Sequence, residues 1–129
     1  MADHYNSDYD AIQSVIQTYI DGSRQGDSSL MKAAFHPGAS FFGYVGDHLA
    51  EGMDVLFDWI DGNGPCPNLD ARLVCVDILN SVAMVRVEAR NWSGKLAGTD
   101  GQTSDLFTLL RMPEGWKIVQ KVFHWHAAA

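Results

Sequence analysis

His124 and His126 are the residues of this chain whose type and spacing come nearest to chemistry. Two apart on an extended segment, they project from one face, and an H-x-H pair can supply two metal ligands if a third group converges from elsewhere. His36 or His48 would be that third ligand, and Asp and Glu are plentiful. No other metal-like spacing accompanies them, so the pair reads as polar residues at a pocket rim or strand end, and no metal is expected. Proton transfer by His124 or His36 is the other use open to them, because an imidazole changes charge near neutral pH. His36 lies between Phe35 and Pro37, at an expected helix C-terminus, where the dipole favours a cation. Asp105 is either a buried acid or the partner of Arg111, Lys117 or Lys121 on the sheet face.

Cys66 and Cys75 have neither a redox nor a zinc spacing. Cys75, inside Leu73-Val74-Cys75-Val76, is expected to be buried as a small hydrophobe. Cys66, between Pro65 and Pro67, is expected in a loop, in a structural or a reactive role. No nucleophile elbow, phosphate-binding glycine loop or dinucleotide fingerprint occurs, and Gly43-Tyr44-Val45-Gly46 matches none of them.

The elements that must position these residues follow from periodicity. Tyr9, Ile12, Val15, Ile16, Tyr19 and Ile20 recur at helical spacing and predict a first helix over 8–24, with Ser7 and Asp10 as a weak capping box and Gly26 as its stop. Asp27 or Ser28 caps a second helix over 28–36 that Pro37-Gly38 ends. A short aromatic strand over 39–45 is followed by a helix over 53–61, with Met53, Leu56, Phe57 and Ile60 on one face. The stretch 62–68 is a loop on its turn residues. The remainder predicts an antiparallel meander: 72–79 and 82–92 joined at Asn80-Ser81, then 104–112 and 116–126 joined by Pro113-Glu114-Gly115. Ala83, Val85, Val87 and Ala89 alternate with Arg86, Glu88 and Arg90, so that strand has one buried and one wetter face.

Helices first and a meander afterwards is an α+β pattern. The 129 residues, 47% of them hydrophobic, suit one domain spanning 1–129. The net charge of −7 and the scattered basic residues argue against nucleic acid and anionic membranes as partners. No apolar run reaches the roughly 18 residues of a membrane span, and no signal peptide is evident at the start, so the expected address is cytoplasmic.

The order of these elements, with Ala33-Ala34-Phe35-His36-Pro37-Gly38-Ala39 between the second helix and the first strand, resembles the nuclear transport factor 2-like superfamily. The segments Ser104-Asp105-Leu106-Phe107-Thr108-Leu109-Leu110, Gly115-Trp116-Lys117-Ile118-Val119 and Lys121-Val122-Phe123-His124 look like its putative lumazine-binding branch. The resemblance implies a cone-shaped, cystatin-like fold, with three helices packed in a strongly bent antiparallel sheet and a pocket at the open end. It also implies a homodimer through the outer sheet face, for which Val119, Phe123 and Trp125 are the expected apolar patch. Tyr19-Ile20-Asp21-Gly22-Ser23-Arg24-Gln25-Gly26-Asp27 is similar to the ketosteroid isomerases of this superfamily, which use a carboxylate base and a tyrosine–aspartic acid oxyanion hole. Tyr19 falls on the oxyanion tyrosine, but the base falls on Gly43 and the oxyanion acid on Thr108, which argues against that mechanism.

Alternation along the last strand groups Ile118, Gln120, Val122, His124 and His126 against Lys117 and Lys121. Lysines prefer water, so the Gln120 side is expected to face inward, and Tyr19, Thr108, Gln120 and His124 become the expected ligand-binding residues. A bulge in the strand would exchange the two faces. Phe41, Phe42, Trp59, Trp92 and Trp125 are numerous enough to build an aromatic cavity wall. The expected function is binding of a small apolar or heteroaromatic molecule without a cofactor. The alternative is a cofactor-independent cyclase, dehydratase or isomerase with a histidine as its acid–base.

Overall fold

The computed structural model describes residues 3–94 and 101–126. Helix α1 (Asp3–Gln25) buries Ile12, Ile16, Tyr19 and Ile20, the stripe that its helical spacing demands. It begins before Ser7, so Ser7 is no cap. It ends at Gly26, whose φ of +64° a side chain would oppose and where a Cβ would lie 2.4 Å from the Gly64 carbonyl carbon. The Asp27 side chain caps α2 (Ser28–Lys32) by accepting from Ser29 N–H.

Helix α2 is shorter than its sequence suggests, because the chain is already tied to the sheet at Ala34, whose carbonyl accepts from Ile118 N–H at 2.9 Å. Strand β1 (Phe35–Val45) therefore starts before the proline, and His36 sits on a strand rather than at a helix end, its Nδ1 accepting from Gly38 N–H. Pro37 falls between Phe35 and Ser40, where pairing with the neighbouring strand is interrupted, so its missing N–H costs no ladder bond. Gly46-Asp47 turns β1 back into β2 (His48–Glu51), a strand the periodicity does not announce. Helix α3 (Met53–Asn63) buries Leu56 and Ile60.

The meander is β3 (Asp70–Leu79), β4 (Val82–Arg90), β5 (Gln102–Met112) and β6 (Gly115–His126), antiparallel throughout, with Asn80-Ser81 linking the first pair. The sheet order is β2-β1-β6-β5-β4-β3, and β1 joins β6 in parallel, so the sheet is mixed rather than purely antiparallel. The polar turn expected before β5 lies partly outside the described residues. Cys75 is exposed rather than buried; Cys66 lies in a loop as expected and is buried there, its sulfur accepting from Ser93 N–H at 3.4 Å.

The register of β6 carries the main departure. Leu109 faces Ile118 and Thr108 faces Gln120, so Val119 is an extra residue, a bulge that reverses the alternation. Before it Trp116 and Ile118 are buried; after it Lys121 is buried, with Phe123 and Trp125 on the same inner face. Phe123 is thus no part of an outer seam. It stacks on Phe41, with centroids 5.1 Å apart, and lies over Gly43. A Cβ at Gly43 would come within 2.1 Å of the Phe123 ring, so any side chain there would displace it. Gly43→Ala should cost about 1–3 kcal/mol in urea unfolding, because the ring must leave its stack; an unchanged midpoint would show that the ring is not confined there.

Candidate active site

Between the inner face of the bent sheet, α1 and α3 lies a cavity of about 310 Å³, at the small end of the ~300–1,000 Å³ range of ligand pockets. Helix α3 supplies Val55, Leu56, Trp59 and Ile60. Phe41, Val45 and Ala50 come from β1 and β2, and Trp92 closes one side, edge-on to Trp59 at 5.6 Å. These are apolar surfaces. The polar groups come from three places: Tyr19 on α1, Thr103 and Asp105 on β5, and Lys121 on β6.

Tyr19 is fixed by edge-to-face contacts with Phe107 at 5.0 Å and Phe35 at 6.1 Å. Its hydroxyl accepts a hydrogen bond from Lys121 Nζ at 2.6 Å, and the same nitrogen lies 3.8 Å from Asp105 Oδ1. The rings of Tyr19, Phe41, Phe107 and Phe123 surround that nitrogen, with centroids 4.7 to 5.9 Å away. Thr103 Oγ1 is occupied, accepting from Trp92 Nε1 at 3.0 Å. No donor stands within hydrogen-bonding distance of either Asp105 oxygen among the described residues, the Tyr19 hydroxyl acting on the carboxyl from farther off, and Trp125 Nε1 also lacks a partner, although all three atoms are buried. Unsatisfied buried polar atoms cost about 1–3 kcal/mol each, and in the wall of a cavity they await a ligand or water.

Burial acts on all three groups against charge. It raises the Asp105 carboxyl above its ordinary value, opposed by the Lys121 ammonium and reinforced by Glu88. It lowers the Lys121 ammonium, opposed by Asp105. It raises the Tyr19 phenol well above its ordinary value, and the charge of Asp105 adds to this. Two unit charges about 4 Å apart attract by about 4 kcal/mol at an effective dielectric near 20, whereas withdrawing each from water costs several kcal/mol. Burial thus works against the charge of both members of the pair while each partner's charge works for it, and the phenol stays protonated.

Of the residues expected to bind ligand, only Tyr19 lies on the cavity wall. Thr108, Gln120 and His124 face the outer side of the sheet: Thr108 by the alternation of β5, and the other two because the Val119 bulge turns Lys121, Phe123 and Trp125 inward in place of Gln120, Val122 and His124. His126 is outside as well, its Nε2 2.7 Å from Ser104 Oγ, which also donates to Glu88 at 2.8 Å. Among the described residues no histidine lines the cavity beside Tyr19. Among the described residues no group of three or more His, Cys, Asp and Glu is placed to hold a metal. Asp105 does pair with Lys121, as one of its expected partners, but inside the cone rather than on the outer face. Phe41, Trp59, Trp92 and Trp125 form the aromatic wall, whereas Phe42 is exposed. The sequence signal that Lys121 is internal was its setting, one lysine within Val119-Gln120-Lys121-Val122-Phe123, once the bulge is allowed for.

A bent sheet wrapped on three helices over such a cavity defines a nuclear transport factor 2-like protein. Within that class the chain belongs to the putative lumazine-binding family, whose sequence profile matches residues 7–124. It is similar to the NTF2-like protein of Methylobacillus flagellatus KT (42% identity, TM-score 0.85, covering 94% of each chain). It is also similar to the NTF2-like protein of Shewanella baltica OS155 (32% identity, TM-score 0.86, covering 96% of this chain and 98% of that one). Aldolase FrzH of a Cladobotryum species is 27% identical over 126 residues, spanning 96% of this chain and 97% of that protein. Among the described residues no helix is long and apolar enough to cross a membrane.

The energetics can be tested directly. Replacing both members of the pair, Lys121→Met with Asp105→Leu, should raise stability by about 1–4 kcal/mol, because well-packed apolar side chains outperform a buried ion pair. Asp105→Leu alone should destabilise, since it strands the amine. The lowered Lys121 also sets a slope with pH. Between its folded value and the ordinary 10.5 the unfolded chain binds the extra proton, so wild-type stability rises with pH across that window. Asp105 opposes this below its own folded value, where the native chain holds the extra proton, and Tyr19 opposes it above 10.0. Urea midpoints measured on the alkaline side towards that limit should climb in wild type and should not climb in Lys121→Met. A flat wild-type curve would mean that Lys121 is not desolvated.

Proposed function

We propose that this chain is a cofactor-independent enzyme whose cavity takes a small, largely apolar or heteroaromatic carbonyl compound and moves a proton at the carbon beside the carbonyl. The observation that carries this is a lysine–tyrosine–carboxyl cluster buried in the wall of an otherwise apolar cavity, with both carboxyl oxygens unpartnered. Such a cluster does little for stability, and perturbed groups in a cleft are where acid–base chemistry is run. In this reading the bound carbonyl oxygen lies against Lys121 and Tyr19, whose N–H and O–H donors stabilise an enolate. The ionised form of Asp105 takes the proton, and its raised affinity for protons suits a base working near neutrality. The name of the similar aldolase supports the reaction class, since aldol chemistry starts from the same enolate.

Two further expectations belong to this reading. The outer face places Phe42, Val122 and Leu106 side by side on neighbouring strands, each more than a third exposed, which supports a homodimer through that face. Leu106→Asp should then give a monomer by light scattering, and a wild type already monomeric at micromolar concentration would remove the dimer. The two unpaired cysteines are in keeping with a cytoplasmic address.

Trp59, Trp92 and Trp125 line the cavity, so binding can be read from intrinsic fluorescence. Lumazine and 2-acetylnaphthalene should both quench it, and Ala50→Phe, which fills the cavity, should weaken binding by about tenfold, or ~1.4 kcal/mol. In D2O the methyl protons of bound 2-acetylnaphthalene should exchange faster than in buffer, and Asp105→Asn should abolish the gain. Quenching without exchange would leave a binding protein and overturn the enzymatic reading.

A further inference from the structure

We propose that Lys121 is a covalent catalyst: its amine attacks the carbonyl carbon of the substrate and forms an imine, so that the reaction runs through an enamine rather than a free enolate. This rests on the carbonyl-substrate reading above and adds to it the bond and the electron sink.

Three features on the page point to a nucleophile rather than to an electrostatic clamp. First, the nitrogen is on the cavity wall, with its side chain 6% exposed. Four aromatic rings keep water from it, and an amine in such a place sheds its proton far more readily than a surface lysine does. A lysine of ordinary pKa (~10.4) is free amine to only about one part in 10³ at neutral pH. Second, Asp105 Oδ1 is 3.8 Å from that nitrogen, close enough to exchange protons with whatever forms there, and burial raises the affinity of its carboxyl for a proton. Third, Tyr19 Oη sits 2.6 Å from the amine, where it can pass a proton between nitrogen and carbinolamine oxygen.

The balance of the step is complete with these groups. The Lys121 nitrogen bonds to the carbonyl carbon, and the C=O π bond opens. One amine proton reaches the oxygen through Tyr19 to give a neutral carbinolamine. Asp105 then gives its proton to that hydroxyl, water leaves, and an iminium faces the Asp105 carboxylate in place of the amine and the acid. That carboxylate removes the proton from the adjacent carbon, yielding the enamine and restoring the acid. Reprotonation gives exchange, and capture of an aldehyde by the enamine carbon gives an aldol. Hydrolysis by the same water returns the free lysine. No oxidant, reductant or metal is required.

The test is reductive trapping of the full-length protein with 2-acetylnaphthalene and sodium borohydride near neutral pH, read by intact mass and peptide mapping. One naphthylethyl group per chain is expected, on the peptide containing Lys121. Lys121→Arg should keep the quenching by 2-acetylnaphthalene but lose both the adduct and the proton exchange. Lys117→Arg, a residue outside the cavity, should keep all of them. The groups facing the amine are Tyr19 from α1 and Asp105 from β5, with Glu88 of β4 acting on Asp105; β1 offers only Phe41. Asp105→Asn removes the charge that favours the ammonium, so any residual trapping should extend to lower pH than in wild type. Exchange without an adduct would overturn the imine and leave the enolate reading standing. An adduct spread over all lysines would likewise overturn it. Failure of quenching, exchange and trapping together would remove both.

Discussion

The extra residue at Val119 exchanges the two faces of β6, and most of what is distinctive in this molecule depends on that exchange. A strand of uniform alternation would continue the inward sequence of Trp116 and Ile118 through Gln120, Val122 and His124. The cone would then be lined by an amide and an imidazole, and Lys121 would reach water. With the bulge in place, Lys121, Phe123 and Trp125 turn inward opposite Phe107, Asp105 and Thr103 of β5. The irregularity is shared with β1, whose pairing to β6 breaks between Phe35 and Ser40, over Pro37. A proline without a donor and an extra residue without a partner therefore fall at the same level of the sheet.

Burying Lys121 constrains its neighbours in turn. An ammonium among rings gains about 0.5–2 kcal/mol per favourable contact, too little alone to replace its hydration. Tyr19 accepts its hydrogen bond, and Asp105 offers a countercharge slightly beyond hydrogen-bonding distance. The same distance leaves both carboxyl oxygens without a donor. A structural salt bridge would have closed that gap, because a full hydrogen bond to a charged group is worth about 1.5–3 kcal/mol. The gap matches a site whose polar groups are satisfied only when something else is bound.

The fold was largely legible because it follows from periodicity. The α1 stripe, the α3 face, the Asn80-Ser81 hairpin and the alternation of β4 all appear where their spacing puts them. The site was less legible, and for a single physical reason. Alternation tells which residues share a face only while the register is unbroken, and nothing in Lys117-Ile118-Val119-Gln120-Lys121 distinguishes a bulge from a regular strand. The preference of lysine for water then weighed for the wrong face, since a buried lysine violates the very rule used to orient it. Gly46-Asp47 between Val45 and His48 was a readable two-residue turn, and β2 could have been inferred from it.

The cavity divides into two kinds of wall, and the division bears on how the family could vary. Helix α3 contributes Val55, Leu56, Trp59 and Ile60, all apolar. None of these residues makes a hydrogen bond to the Lys121–Tyr19–Asp105 cluster, which is held by α1, β5 and β6. Side chains on α3 can therefore change size and reshape the space without disturbing the amine, the phenol or the acid. Changes on β6 have no such freedom: Phe123 lies against Gly43, Phe41 and the Lys121 nitrogen at once. The apolar wall on α3 is thus free to vary, while the polar cluster is tied to α1, β5 and β6.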